Sequence, residues 1–231
     1  MSYNVAFISL GCAKNQVNCE QMMASVQAAG HTIQAQPEGA DVVVVNTCGF
    51  LQSACEEAID NILEMAELKR AGQVQKILVT GCMTQRYKQD VLNELPEVDG
   101  ILGTGSYGDI CAAIDEVMAG SGLRPCHLGN IHTAPQDGGR ILSTPPWDAY
   151  LRIAEGCDNH CAYCVIPSLR GKYRSRPMEG LLEEARELAD AGVKELLVIA
   201  QDITRYGTDL NGEHQLASLL RELCRLDFHW V

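Results

Sequence analysis

The chain has 231 residues, 46% of them apolar, and its 30 acidic against 18 basic side chains give a formal net charge of -12. That apolar content supports one or two domains with real cores. The acidic balance leaves no overall electrostatic footprint for nucleic acid, whose phosphates are bound by Lys and Arg, and no stretch approaches membrane-spanning length.

The opening MSYNVAFISLG lacks the positive n-region and long apolar core of a secretory signal, so a soluble cytoplasmic protein is expected. Its eleven cysteines are an odd number. Without secretion, metal or redox chemistry explains them better than disulfide stapling.

The first 120 residues alternate strand-like and helix-like segments. YNVAFISL (3–10) reads as a strand, and NCEQMMASVQAAG (18–30) as a helix ending on Gly30. HTIQAQ is a second strand candidate. DVVVVN (41–46) is a β-branched run of the kind covered on both faces. QSACEEAIDNILEMAELKRAG (52–72) is a helix, KILVT (76–80) a short buried strand, and QRYKQDVLNEL a further helix. GILGTGS leads into the helical YGDICAAIDEVMAG. The alternation predicts an α/β layer around a mostly parallel sheet.

The pattern stops between 128 and 147, where HTAPQDGGRILSTPPW reads as a linker. A second α/β pattern follows from 148 to 231: the strand AYLRIAEG, a cysteine loop, the helix MEGLLEEARELADAG, the strand VKELLVIAQD, the helix HQLASLLRELCRL, and FHWV as the start of a third strand. The expected organisation is a 1–127 domain, a 128–147 linker and a 148–231 domain. The last is read as the N-terminal part of a β/α barrel whose remaining units lie outside this length.

Cys12, Cys48 and Cys82 each follow the C-terminal end of a predicted strand, 36 and 34 residues apart. Loops leaving those ends converge in open α/β sheets, so the three thiols can share a metal site. Taken singly, each is also a small residue suited to a tight Gly-Cys turn. The loop EGCDNHCAYC carries Cys157, Cys161 and Cys164 as C-x3-C-x2-C, with no obvious fourth cysteine. Short cysteine spacings of this kind hold iron–sulfur clusters, while His160 offers a fourth ligand in a zinc reading. Asp158 and Glu155 read as loop surface. Cys19 and Cys55 lie two turns, ~10 Å, along the helices after Cys12 and Cys48. With Cys111, Cys126 and Cys224, they read as packing residues.

SLGCAKNQVNCE, VNTCGF, VTGC, EGCDNHCAYCVIPSLRGKYRSRP and LLVIAQD occur in an order that resembles the methylthiotransferase family of radical S-adenosylmethionine (SAM) enzymes, over essentially the whole chain. IPSLRGKYRSRP and GCAKN are most similar to the branch that methylthiolates an aspartate on small-subunit ribosomal protein twelve. The resemblance implies two [4Fe-4S] clusters and SAM as cofactors. Cys157, Cys161 and Cys164 would ligate the radical-SAM cluster, and Cys12, Cys48 and Cys82 an auxiliary cluster carrying the sulfur to be inserted. Each cluster would keep one iron without a protein ligand.

The resemblance also places Tyr163 at the family's aromatic position before the last cysteine. Of the basic run Arg170, Lys172, Arg174 and Arg176, Arg176 is the first candidate for a carboxylate clamp. Gln201 and Asp202 end a barrel strand on the face where such enzymes build their sites, and a helix or loop capping role suits them equally. Implied partners are the aspartate-bearing loop of the ribosomal protein and a low-potential electron donor such as flavodoxin or ferredoxin, with no membrane and no nucleic acid. The chain departs from the family at Asn18 and Cys19, where the pattern usually reads Asp-Ser before Glu20. A TRAM domain is not expected within this length. Two alternatives share the cysteines: a tRNA adenosine methylthiotransferase and a non-catalytic iron–sulfur module.

Overall fold

Four consecutive valines, Val42 to Val45, run through the middle of the first sheet with no exposed surface. Because side chains alternate across a strand, Val42 and Val44 pack on one face and Val43 and Val45 on the other. The computed structural model describes residues 1–120, 122–135 and 139–231 and divides the chain into two compact units, Met1–Ile131 and His132–Val231.

In the first unit the strands are β1 (Asn4–Ser9), β2 (Thr32–Gln34), β3 (Val42–Thr47), β4 (Lys76–Gly81), β5 (Gly100–Leu102) and β6 (Cys126–His127). They form one parallel sheet in the order β2-β1-β3-β4-β5-β6. Helices α1 (Ala13–Ala28) and α5 (Ile110–Met118) cover the Val42/Val44 face through Met22, Val26, Ile110 and Ile114. Helix α2 (Gln52–Arg70) covers the other face through Ala58, Ile62 and Met65. Each fully buried aliphatic side chain there contributes about 1.5–3 kcal/mol over leaving it in water. The expected α/β layer with a parallel sheet is what forms.

Two helices differ from expectation. Helix α1 starts at Ala13, directly after Cys12, rather than at residue 18. Its first turns bury polar side chains, Asn15, Asn18, Glu20 and Gln21, so no apolar stripe marks the start. The QRYKQDVLNEL segment breaks into α3 (Cys82–Tyr87) and α4 (Gln89–Glu94), because Lys88 takes a left-handed φ of 50°.

The second unit pairs β7 (Asp148–Arg152) with β10 (Glu195–Ile199) in parallel. The expected strand AYLRIAEG is interrupted at Ile153. Its continuation, β8 (Ala154–Glu155), pairs antiparallel with β9 (Arg174–Ser175). Helices α7 (Met178–Asp190) and α9 (Leu216–Leu223) cover the sheet, with Leu151, Leu181, Leu196 and Leu219 in the core. Short helices α6 (Ile166–Arg170) and α8 (Thr208–Asn211) sit in the loops. The third strand read from FHWV is reduced to a single parallel bridge, Trp230 to Glu195.

Residues 136–138 of the segment read as a linker lie outside the described residues. After them, Arg140 pairs with Glu184 at 3.0 Å and Leu142 packs against the second core.

Candidate metal centres

The strand order sets three cysteines side by side. β1, β3 and β4 are neighbours, and their registers align Ser9 with Asn46 and Thr47 with Gly81. Cys12 caps the start of α1, Cys48 follows β3, and Cys82 opens α3 directly after β4. The chain reverses its strand order between β1 and β3, and the crevice outside such a switch point is where open α/β sheets bind ligands. Cys12 and Cys48 therefore flank it. Two glycines let the cysteine loops touch. A Cβ on Gly11 would stand 2.7 Å from the Cys48 Cβ, and one on Gly49 2.7 Å from the Cys82 carbonyl. Cys12 is exposed, Cys48 half-buried and Cys82 buried.

Asn15 joins these ends. Its Nδ2 donates to the Thr47 carbonyl at 2.8 Å and the Leu10 carbonyl at 3.2 Å, and the Cys82 thiol donates to its Oδ1 at 3.8 Å. The Cys55 thiol turns to the Cys48 carbonyl at 3.9 Å.

In the second unit the cysteine loop hangs from a buried carboxylate. Glu155, expected on the surface, is 7% exposed. Its Oε2 accepts from Arg152 and Arg170 at 3.1 Å each, and its Oε1 accepts from the Gly156 N–H and from Gln201. Burial pushes the Glu155 carboxyl up, but the flanking Arg170 and Arg152 guanidiniums and the two hydrogen bonds outweigh it and hold it below the usual carboxylate value. Unpaired, such a charge is too costly to bury; the two arginines are the reason it sits inside. The stem closes with Cys157 N–H to Gly171 O at 3.1 Å.

Within the loop, Cys157 is buried, Cys164 half-buried and Cys161 exposed. The Asn159 N–H donates to the Cys157 sulfur at 3.4 Å. Asn159 also donates to Asp202 at 3.1 Å, and Asp158 accepts from the Tyr173 N–H at 3.0 Å. Asp158 thus braces the loop rather than standing free on it. A cavity of about 290 Å³ beside Cys157 is lined by His132, Asp158, His160, Pro167 and Lys172.

The other sequence candidates fall in different settings. Tyr163 is 83% exposed beside Cys164, and Gln201 reaches the loop stem through Glu155. Arg176 is buried and finds its carboxylate within the chain, with Nη2 at 2.7 Å from Glu184 Oε2 and Nη1 donating to the Arg152 carbonyl. The sequence reading of Glu155 as loop surface is overturned by its burial, and Asn15 carries no mark in the sequence reading. Their only signal is adjacency to the Gly-Cys steps they support. Of the remaining cysteines, Cys19 and Cys55 are buried and Cys111 half-buried. Cys126 and Cys224 are exposed, so packing does not account for them.

Among the described residues, no three His, Cys, Asp or Glu side chains converge closely enough to hold one metal ion. That applies equally to His160 as a ligand to a single zinc. A cubane asks for something else: each thiolate takes a different iron, so the sulfurs stand around the cluster. Two sets of three soft thiol donors, each on the loop edge of its own unit, fit that demand better than that of a hard cation.

Comparison with known proteins places these loops in context. A family model described as "Uncharacterized protein family UPF0004" matches residues 4–103, and the Radical SAM superfamily matches residues 151–228. The ribosomal protein uS12 methylthiotransferase RimO of Syntrophomonas wolfei is 48% identical over 99% of this chain and 52% of its own length. The protein of the same name from Clostridioides difficile is 48% identical over 98% of this chain and 51% of its own. The chain thus spans about half the length of the curated relatives it matches. Among solved structures, the radical SAM methyltransferase TsrM of Kitasatospora setae shares the fold, with a TM-score of 0.66 at 14% identity over 97% of this chain and 51% of that one.

Proposed function

Because the chain belongs to the methylthiotransferase family of radical-SAM enzymes, we propose that it forms part of an enzyme that methylthiolates the β-carbon of an aspartate on ribosomal protein uS12. The observation that carries the reading is the pairing of two thiol trios, one on each unit, with close relatives of that activity. In this reading Cys157, Cys161 and Cys164 hold the radical-SAM [4Fe-4S] cluster, and Cys12, Cys48 and Cys82 hold the auxiliary one. When bound, the clusters and SAM supply reductive SAM cleavage, a hydrogen-abstracting radical and the sulfur to be transferred.

The chain's own residues prepare that chemistry. The Glu155 carboxylate fixes both stems of the cysteine loop. Its bond from Gln201 ties the loop to the end of β10, where a cofactor would lie over the strand ends. Tyr163 stands open beside Cys164 to contact SAM. Arg176 acts from behind, through its pair with Glu184. A low-potential flavodoxin or ferredoxin would deliver electrons, and the cytoplasm is the compartment where free thiols persist.

The test is mass spectrometry of uS12 after incubation with the full-length enzyme, SAM and reductant. One added methylthio group on an aspartate is expected. Modification of tRNA adenosine instead, with uS12 unchanged, would overturn the substrate assignment.

A further inference from the structure

We infer that Asn15 is the positioning residue of the first-unit thiol trio, its side-chain amide coupling the backbone ends that carry Cys12 and Cys48 to the Cys82 thiol. The inference rests on the assignment of those three cysteines to one cluster. Asn15 is fully buried in the first turn of α1, a position where a short amide ordinarily competes with the helix for backbone partners. Here it bonds outward, to other segments. Its Nδ2 donates to the carbonyl of Leu10, two residues before Cys12, and to that of Thr47, the residue before Cys48.

Two carbonyl acceptors at one end of the amide fix its orientation, since a reversed amide would set oxygen against oxygen at both. The opposite end must then be Oδ1, and it faces the Cys82 sulfur at 3.8 Å. The main chain completes the connection, for the Asn46 amide of β3 donates to the Asn15 carbonyl at 2.7 Å. One residue therefore touches each of the three strand ends from which a cluster ligand departs. Groups that orient ligands typically change metal affinity about 10- to 100-fold when removed. On ligating iron the Cys82 thiol releases its proton to solvent, so its hydrogen bond to Oδ1 gives way to an amide dipole facing a thiolate, which bears on the cluster's reduction potential.

The alternative is that Asn15 only braces the helix against the sheet. The experiment that separates the two uses the whole chain with Cys157, Cys161 and Cys164 replaced by Ala, so that iron reports the first unit alone. Asn15→Leu keeps the volume and removes the amide. Asn15→Ser keeps one hydroxyl. After anaerobic reconstitution, fold is followed by circular dichroism, cluster retention by the rate of iron loss to a chelator, and the midpoint potential by EPR-monitored titration. Asn15→Leu is expected to fold, to lose iron about 10- to 100-fold faster and to shift in potential, with Asn15→Ser between it and the parent. A folded Asn15→Leu chain with the parent's iron-loss rate and potential overturns the inference. So does failure of both variants to fold, which would make Asn15 a brace. Should the parent itself take up no cluster, the ligand assignment falls first, and the inference falls with it.

Discussion

Glu155 and Arg170 meet as a buried ion pair, Oε2 to Nη1 at 3.1 Å, fifteen positions apart in sequence with the whole cysteine loop between them. Arg170 closes α6 on the far side of the loop, and Arg152 reaches the same oxygen from β7. Truncating one partner of a buried pair leaves the other charged and unpaired. Glu155→Ala is therefore expected to destabilise the second unit by about 3–5 kcal/mol. Glu155→Gln, which keeps an acceptor oxygen, should cost less. Urea unfolding of both variants is the check, and a Glu155→Ala loss below about 1 kcal/mol would show that the pair does not hold the stem.

Six thiols divided between two compact units predict separable clusters. Reconstituted wild type is expected to bind about eight irons per chain. Cys161→Ala should lose half of that and all SAM cleavage, while the first-unit signal survives in EPR spectra. Cys82→Ala should do the reverse, retaining reductive cleavage of SAM. Loss of both signals in either variant would mean one shared site and would sink the division of roles.

Gly156 separates Glu155 from Cys157 with a φ of 77°, and a Cβ there would stand 2.0 Å from the Lys172 carbonyl. Both the left-handed backbone and the contact exclude a side chain. Gly156→Ala is expected to cost about 1–3 kcal/mol from backbone strain, before any clash is counted. Gly180 lies within α7 with nothing near its missing Cβ, so Gly180→Ala should stabilise by about 0.5–1 kcal/mol. Thermal melts of the two variants should move in opposite directions. Equal shifts would show that the loop stem yields more readily than its geometry implies.

How far the sequence spoke depends on what the signal was made of. The valine run at 42–45 announces a strand covered on both faces because burial needs nothing but apolar side chains there. The six cysteines of the two trios stand out because their chemistry is tied to spacing and to strand ends. Glu155 gives no such signal. A glutamate before Gly-Cys looks like loop surface until Arg152 and Arg170, from two other segments, are folded around it. Arg176 misleads in the same way, since its partner Glu184 lies on a helix that the basic motif does not mention. Polar residues buried by long-range pairing cannot be told from exposed ones by local pattern, which is also why α1 begins five residues before its apolar positions suggest.

Cys19 lies in α1, 1% exposed, about two turns along the helix that the exposed Cys12 precedes. Burial pushes its thiol up to about 12 from 9.0, against a lowering hydrogen bond with Ser9. The thiolate is the nucleophile, so at pH 8 the folded chain holds roughly a thousandfold less Cys19 thiolate than an ordinary cysteine would. The sign for stability follows: the folded state disfavours ionisation, so this contribution is whole below pH 9.0 and is lost as pH rises toward about 12. Iodoacetamide labelling of the metal-free chain between pH 7 and 10, mapped by mass spectrometry, should modify Cys161 and Cys224 readily and leave Cys19 untouched until urea is added. Labelling of Cys19 in step with Cys161 across that range would show that α1 opens far more often than its packing allows.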